Sequence, residues 1–175
     1  MVKKKAMSTR SGAHYLAICA CLVITLAGAA FYARHNYAVL EVKEHDTGQI
    51  LYSRLLKVGE GFDLVHVHSV TRQPVLETFC VQDNRTLALQ EMRYDSFGAN
   101  LPVGPEKTSF ETTQFIVGDG YYKIKYRNRH FSRIPLRVGQ VVADHRLVFE
   151  DGSILRFLDI AGGGAFVEIS VRPVF

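Results

Sequence analysis

Phe62-Asp-Leu-Val-His-Val-His-Ser-Val-Thr-Arg-Gln-Pro-Val-Leu-Glu-Thr-Phe79 places β-branched and aromatic residues on both sides of a polar break. That pattern describes two strands folded back on each other. Pro74 lacks an amide for a central ladder, so Thr71-Arg72-Gln73-Pro74 is assigned to the loop. A four-residue loop sets Val70 opposite Val75, His68 opposite Glu77 and His66 opposite Phe79. Side chains alternate with period two, so His66, His68, Glu77 and Phe79 share one face. Ser69 then faces the other way, which argues against a His68–Ser69 dyad.

The flanking sequence repeats the same kind of unit. Tyr37–Glu44 and Gln49–Leu56 are short strands around the turn Asp46-Thr47-Gly48. Beyond the opening hairpin, Val75–Val81 runs out, Gln82–Arg85 turns, and Thr86–Tyr94 returns with Leu87, Leu89 and Glu91 on one face. Two prolines and two glycines make Ser96–Pro105 a loop. Gly118-Asp119-Gly120 opens the aromatic strand Tyr121–Tyr126, and Ile134–Val138 is a short edge strand. Asp151-Gly152 joins Arg146–Phe149 to Ser153–Phe157 as a hairpin. Ala165–Arg172 alternates strictly to the end. No stretch after residue 36 keeps a helical period. The expected fold is all-β, an antiparallel sandwich or small barrel of about nine or ten strands.

Ahead of this domain, Tyr15–Ala33 contains no charged residue. Nineteen helical residues reach about 28 Å, the hydrocarbon thickness of a bilayer. Lys3, Lys4, Lys5 and Arg10 precede the run and only Arg34 follows it closely, so the N-terminus is expected in the cytoplasm and the rest across the inner membrane. The division is a basic N-terminus over 1–13, an anchor or uncleaved signal over 14–34, and an exported domain over 37–175. Ala27-Gly28-Ala29 has the small residues of a signal-peptidase site, and cleavage there would release the domain to the periplasm. Of the net charge of +4 in 175 residues, much belongs to the N-terminus. The balanced remainder and the expected export both argue against nucleic acid. Cys80 is the sole cysteine beyond the apolar run, so no disulfide framework is available and the core must hold the domain.

Two residue groups have the chemistry of a site. His66, His68 and Glu77, joined by the distant His145, are the start of a zinc or copper set. The local spacing leaves that set short of its ligand count, so neither a metal nor another cofactor is expected. The competing role is a Glu77–His68 hydrogen bond that fixes the imidazole. Arg127-Asn-Arg-His-Phe-Ser-Arg133 offers Arg127, Arg129 and Arg133 to an anion, against the plainer role of a solvated hairpin tip. No nucleophile elbow, carboxylate pair or cofactor fingerprint occurs.

His68-Ser69-Val70, Pro74-Val75, Glu77 and the loop Ser96-Phe97-Gly98-Ala99-Asn100-Leu101-Pro102 together resemble bacterial domain-of-unknown-function family 1850. Gly120-Tyr121-Tyr122, Asn128-Arg129, Leu136-Arg137-Val138-Gly139 and His145 add to the likeness, which spans about residues 38–172. Asn100 stands where glycine is expected, and His66 lies outside the pattern. The resemblance implies a small exported or anchored protein without assigned activity, encoded beside TRAP-type transporters of the TAXI subclass. It shifts attention to a cluster of His68, Ser69, Glu77, Ser96, Gly98, Pro102 and His145. Two functions follow: a non-enzymatic accessory domain contacting a TRAP permease or solute-binding protein, or a small-molecule or metal-binding domain on the His68/Glu77 face.

Overall fold

The computed structural model describes residues 10–175. Lys3, Lys4 and Lys5, on which the expected orientation rests, lie outside the described residues. Helix α1 covers Arg10–Asn36 and carries an apolar run from Gly12 onward that is long enough to cross a membrane. Leu16, Leu22, Val23, Ile24, Leu26 and Phe31 are all exposed. A helix so apolar and so unburied fits a single-pass anchor or a signal sequence.

At Asn36 the chain passes without a linker into β1 (Tyr37–Glu44). Strands β2 (Ile50–Lys57), β3 (Gly61–Val67), β4 (Pro74–Val81), β5 (Leu87–Tyr94), β6 (Gln114–Gly118) and β7 (Tyr121–Phe131) follow. β8 (Arg133–Arg137), β9 (Arg146–Phe149), β10 (Ile154–Arg156) and β11 (Phe166–Pro173) complete the set. They form two antiparallel sheets, ordered β2-β1-β11-β8 and β10-β9-β3-β4-β5-β7-β6. One core fills the space between them. Leu40, Val42, Val167 and Ile169 come from the smaller sheet, Phe62, Leu64, Phe79 and Leu147 from the larger, and all are at most 2% exposed. The all-β expectation holds, with eleven strands among the described residues instead of nine or ten. Gln114–Gly118, of which the sequence pattern assigns only Gly118, to the turn before Tyr121, is a strand that pairs with the start of β7.

Three local expectations are corrected. In the opening hairpin Val67 faces Pro74, His66 faces Val75 and Leu64 faces Glu77, so the connection is the six residues His68–Gln73. His68 causes the longer loop: its Nδ1 accepts the amides of Val70 and Thr71, its carbonyl accepts Arg72 N–H, and its amide donates to Gln73. These bonds wind the chain into a turn with Arg72 at φ 61°. The slip is even-numbered, so His66, Glu77 and Phe79 still share a face. His68 and Ser69 leave the ladder altogether.

The second correction is in β5. An extra residue at Gln90 moves the pairing from Leu89↔Phe79 to Glu91↔Thr78. Leu87 and Leu89 stay on the buried face, whereas Met92 and Tyr94, not Glu91, continue it. Third, Arg127–Phe131 is no hairpin tip. It extends β7, and the chain then crosses at Ser132 into the other sheet.

The end of α1 is fastened to one end of the sandwich. Arg34 Nη1 donates to the Phe175 carbonyl at 3.0 Å, Asn84 Nδ2 to the Arg34 carbonyl at 2.9 Å, and Val58 N–H to the Asn36 carbonyl at 2.9 Å. Strand β3 starts near this end and runs away from it. His66 and the turn after it therefore lie about 20 Å further along the strand axis.

Candidate functional site

At that distal end, the inner face of β3, β4 and β5 meets two loops, Asp95–Thr113 and Val138–Asp144. Between them is a cavity of about 330 Å³, lined by His66, His68, Ser69, Glu77, Met92 and Asn100 among others. The strands supply the floor, because Glu77 sits between Leu64 and Met92 on its neighbours. The Ala99–Leu101 segment and Ala143 supply the rim.

His68 builds the rim. Its Nε2–H donates to the Ala99 carbonyl at 3.0 Å, and Nδ1 accepts Val70 and Thr71 N–H at 3.3 Å each. Both ring nitrogens are thereby committed to backbone, and the neutral Nε2–H tautomer is the one these partners require. Gly98 lies against the same ring; a Cβ there would stand 2.7 Å from His68 Cε1. Asn100 adopts φ 65°, a conformation Asn tolerates better than most side chains, so Asn fits where the resemblance leads one to expect glycine. The loop is held at two more points. Phe97 stacks on Tyr122 with centroids 4.1 Å apart, and Tyr94 OH donates to the Pro102 carbonyl. Tyr94, Phe97 and Tyr122 escaped the sequence reading as loop anchors; their aromatic character was the available signal, but nothing local tied it to residues 96–102.

The expected cluster is thus brought together unevenly. His68, Ser69 and Glu77 line the cavity, Gly98 and Pro102 flank the Ala99–Leu101 rim in sequence without lining it, and Ser96 instead hydrogen-bonds Asp95 at 3.0 Å. No Glu77–His68 hydrogen bond forms, because the register places Glu77 opposite Leu64. His145 lies outside this cavity, lining the adjacent groove of Arg137–Ala143. Its Nδ1 accepts Gly139 N–H at 3.1 Å, and its ring stands 5.3 Å from that of His66.

Electrostatics single out two side chains. Burial, with the neighbouring His145 and His68 rings adding to it, lowers the His66 pKa to about 4. Burial alone raises that of Glu77, which has no hydrogen-bond or ion-pair partner among the described residues. His145 is also lowered by burial, against a weaker opposing pull from Asp144. Among the described residues no group of three His, Cys, Asp or Glu side chains could hold a metal ion. Of the candidate ligands, His68 has both nitrogens bonded to backbone, and His145 lines the adjacent groove.

The arginine segment has its own internal anion. At the β7 bulge, Glu111 Oε1 accepts the amides of Arg127 and Asn128, and Oε2 lies 3.6 Å from Arg129 Nε. Arg129 also pairs with Glu106 at 3.1 Å and covers the Tyr126 ring at 4.4 Å. Arg133 pairs with Glu168 at 3.3 Å in the other sheet. Arg127 is exposed and, among the described residues, has no carboxylate paired with its side chain. The three guanidinium groups do not converge on one point.

A family model described as a domain of unknown function (DUF1850) matches residues 62–155, from the third strand to the tenth. No curated protein and no solved structure matches the chain.

Proposed function

The chain belongs to the DUF1850 family of domains of unknown function, and on that premise we propose that it is a membrane-anchored, non-enzymatic accessory domain of a solute-uptake system. The N-terminus lies in the cytoplasm and the β domain in the periplasm. The partner is a TRAP-type transporter of the TAXI subclass, through its permease or its solute-binding protein. One observation carries this reading: an unburied apolar helix is fastened to the sandwich with no intervening linker. A soluble domain has no use for that helix, and a loosely tethered one would not need its end fixed. The non-enzymatic part is supported by His68, whose two nitrogens are occupied and which therefore cannot serve as a base for Ser69.

The test is chemical crosslinking in native membranes followed by capture of the tagged full-length chain. Recovery of a TRAP permease or solute-binding protein supports the reading. Capture that repeatedly brings down no transporter subunit sinks it. Protease protection of a C-terminal tag in intact cells tests the topology separately.

A further inference from the structure

Glu77 is half-buried and, unlike Glu41, Glu111, Glu168 and Asp144, faces no basic side chain among the described residues. Glu41, 1% exposed, receives Arg172 Nε at 2.7 Å and Lys43 Nζ at 2.7 Å. Glu111 and Glu168 also face arginine, and Asp144 is held by Arg146 and Arg156. A carboxylate partly withdrawn from water gains from such partners, because they offset its desolvation. Glu77 has none among the described residues, and its side chain opens into the distal cavity.

The remaining lining restricts what can satisfy it. Among the described residues no lysine or arginine lines the cavity, so Glu77 is the one acidic side chain there and meets no opposite charge. An anion would meet repulsion there. A metal ion would need further ligands, but His68 is committed to backbone and no three-ligand group occurs among the described residues. Val75, Met92 and Leu101 make part of the wall apolar, and Asn100 at the rim adds a neutral polar group. The volume of about 330 Å³ is the size of a small-molecule site.

We propose that this cavity binds a small organic cation, a primary ammonium with a short apolar tail, seated on the Glu77 carboxylate with its tail against Met92, Val75 and Leu101. His66, one pleat along the same face, is the second polar contact. Burial keeps its imidazole neutral near pH 7, so it adds no repulsion to an incoming cation. The ligand supplies the counter-charge that the fold omits. The site stands independently of any transporter partner.

The test is thermal unfolding of the detergent-solubilised full-length chain with n-butylammonium, using 1-butanol and butyrate as the uncharged and anionic counterparts. At ten times its Kd a single-site ligand should raise Tm by about 4 °C for a domain of this size. The expected result is a saturable rise with butylammonium only, abolished in Glu77→Gln. Met92→Phe, which crowds the floor and leaves the carboxylate in place, should weaken binding at least tenfold and serves if Glu77→Gln does not fold. Equal shifts with butanol or butyrate overturn the proposal. So does the absence of any butylammonium shift at tens of millimolar, or an undiminished shift in Glu77→Gln.

Discussion

Gly98 and His68 are in face-to-backbone contact: a Cβ on Gly98 would stand 2.7 Å from His68 Cε1 and 2.9 Å from Nε2. The imidazole is fixed by three backbone hydrogen bonds and cannot retreat. Two loops distant in sequence are thereby locked together through one ring. Gly98→Ala should cost about 1–3 kcal/mol through overpacking. His68→Ala should cost about 2–3 kcal/mol by stranding the Ala99 carbonyl and two amides. In the double variant the alanine methyl gains room, so the penalties should fall short of additive by about 1 kcal/mol or more. Urea unfolding of the four proteins measures this; strict additivity would show that the contact carries no energy.

His66 should make the protein acid-sensitive in a defined window. Its folded pKa of about 4 lies below the ordinary 6.5. Between those values the unfolded chain binds the proton and the folded chain does not, so stability falls as pH drops from 6.5 toward 4. His66→Gln should remove that slope. The urea midpoint against pH tests this, and an imidazole signal from His66 titrating near 6.5 would contradict it.

Glu77 works in the opposite sense. Its folded pKa is raised, so the folded chain takes up the proton first as pH falls. The group therefore weakens the fold above its folded pKa, and that penalty is relieved as pH drops through it. Glu77→Gln should be more stable than the parent near neutral pH, with the difference shrinking on acidification. A Gln variant that is less stable at pH 7 would mean the carboxylate has a partner in solution.

At the β7 bulge, Glu111 replaces the ladder partners that Arg127 and Asn128 lose. With its side chain 4% exposed, Glu111→Ala should cost about 2–3 kcal/mol, since the stranded amides and Arg129 lose a shielded acceptor. Hydrogen exchange should quicken first at Arg127 and Asn128. Unchanged protection there would assign their shielding to something other than Glu111.

The helix attachment should be local. Arg34 and Asn84 bond at exposed positions, so Arg34→Ala with Asn84→Ala should leave the Tm of the β domain nearly unchanged. Proteolysis around Asn36 should accelerate several-fold, because opening there becomes easier. Equal cleavage rates would show that the junction is held by other contacts.

What the sequence determined is whatever depends on local chemistry. Period-two alternation, turn residues such as Asp151-Gly152 and an uncharged run from Tyr15 to Ala33 were enough for an all-β domain behind one apolar helix. Alternation also put His66 and Glu77 on one face, a result that survived a wrong register because the slip was even-numbered. The tertiary structure decided the rest. A histidine that ties down its own turn lengthened the hairpin loop, and an extra residue at Gln90 exchanged Glu91 for Met92 on the inner face. It also gave Arg129 and Arg133 to carboxylates more than fifteen residues away in sequence, and left Glu77 without a basic partner among the described residues. Pairings of that kind follow from which strands become neighbours. Neighbourhood is set by the closing of two sheets over a common core, and it leaves no periodic trace in the chain.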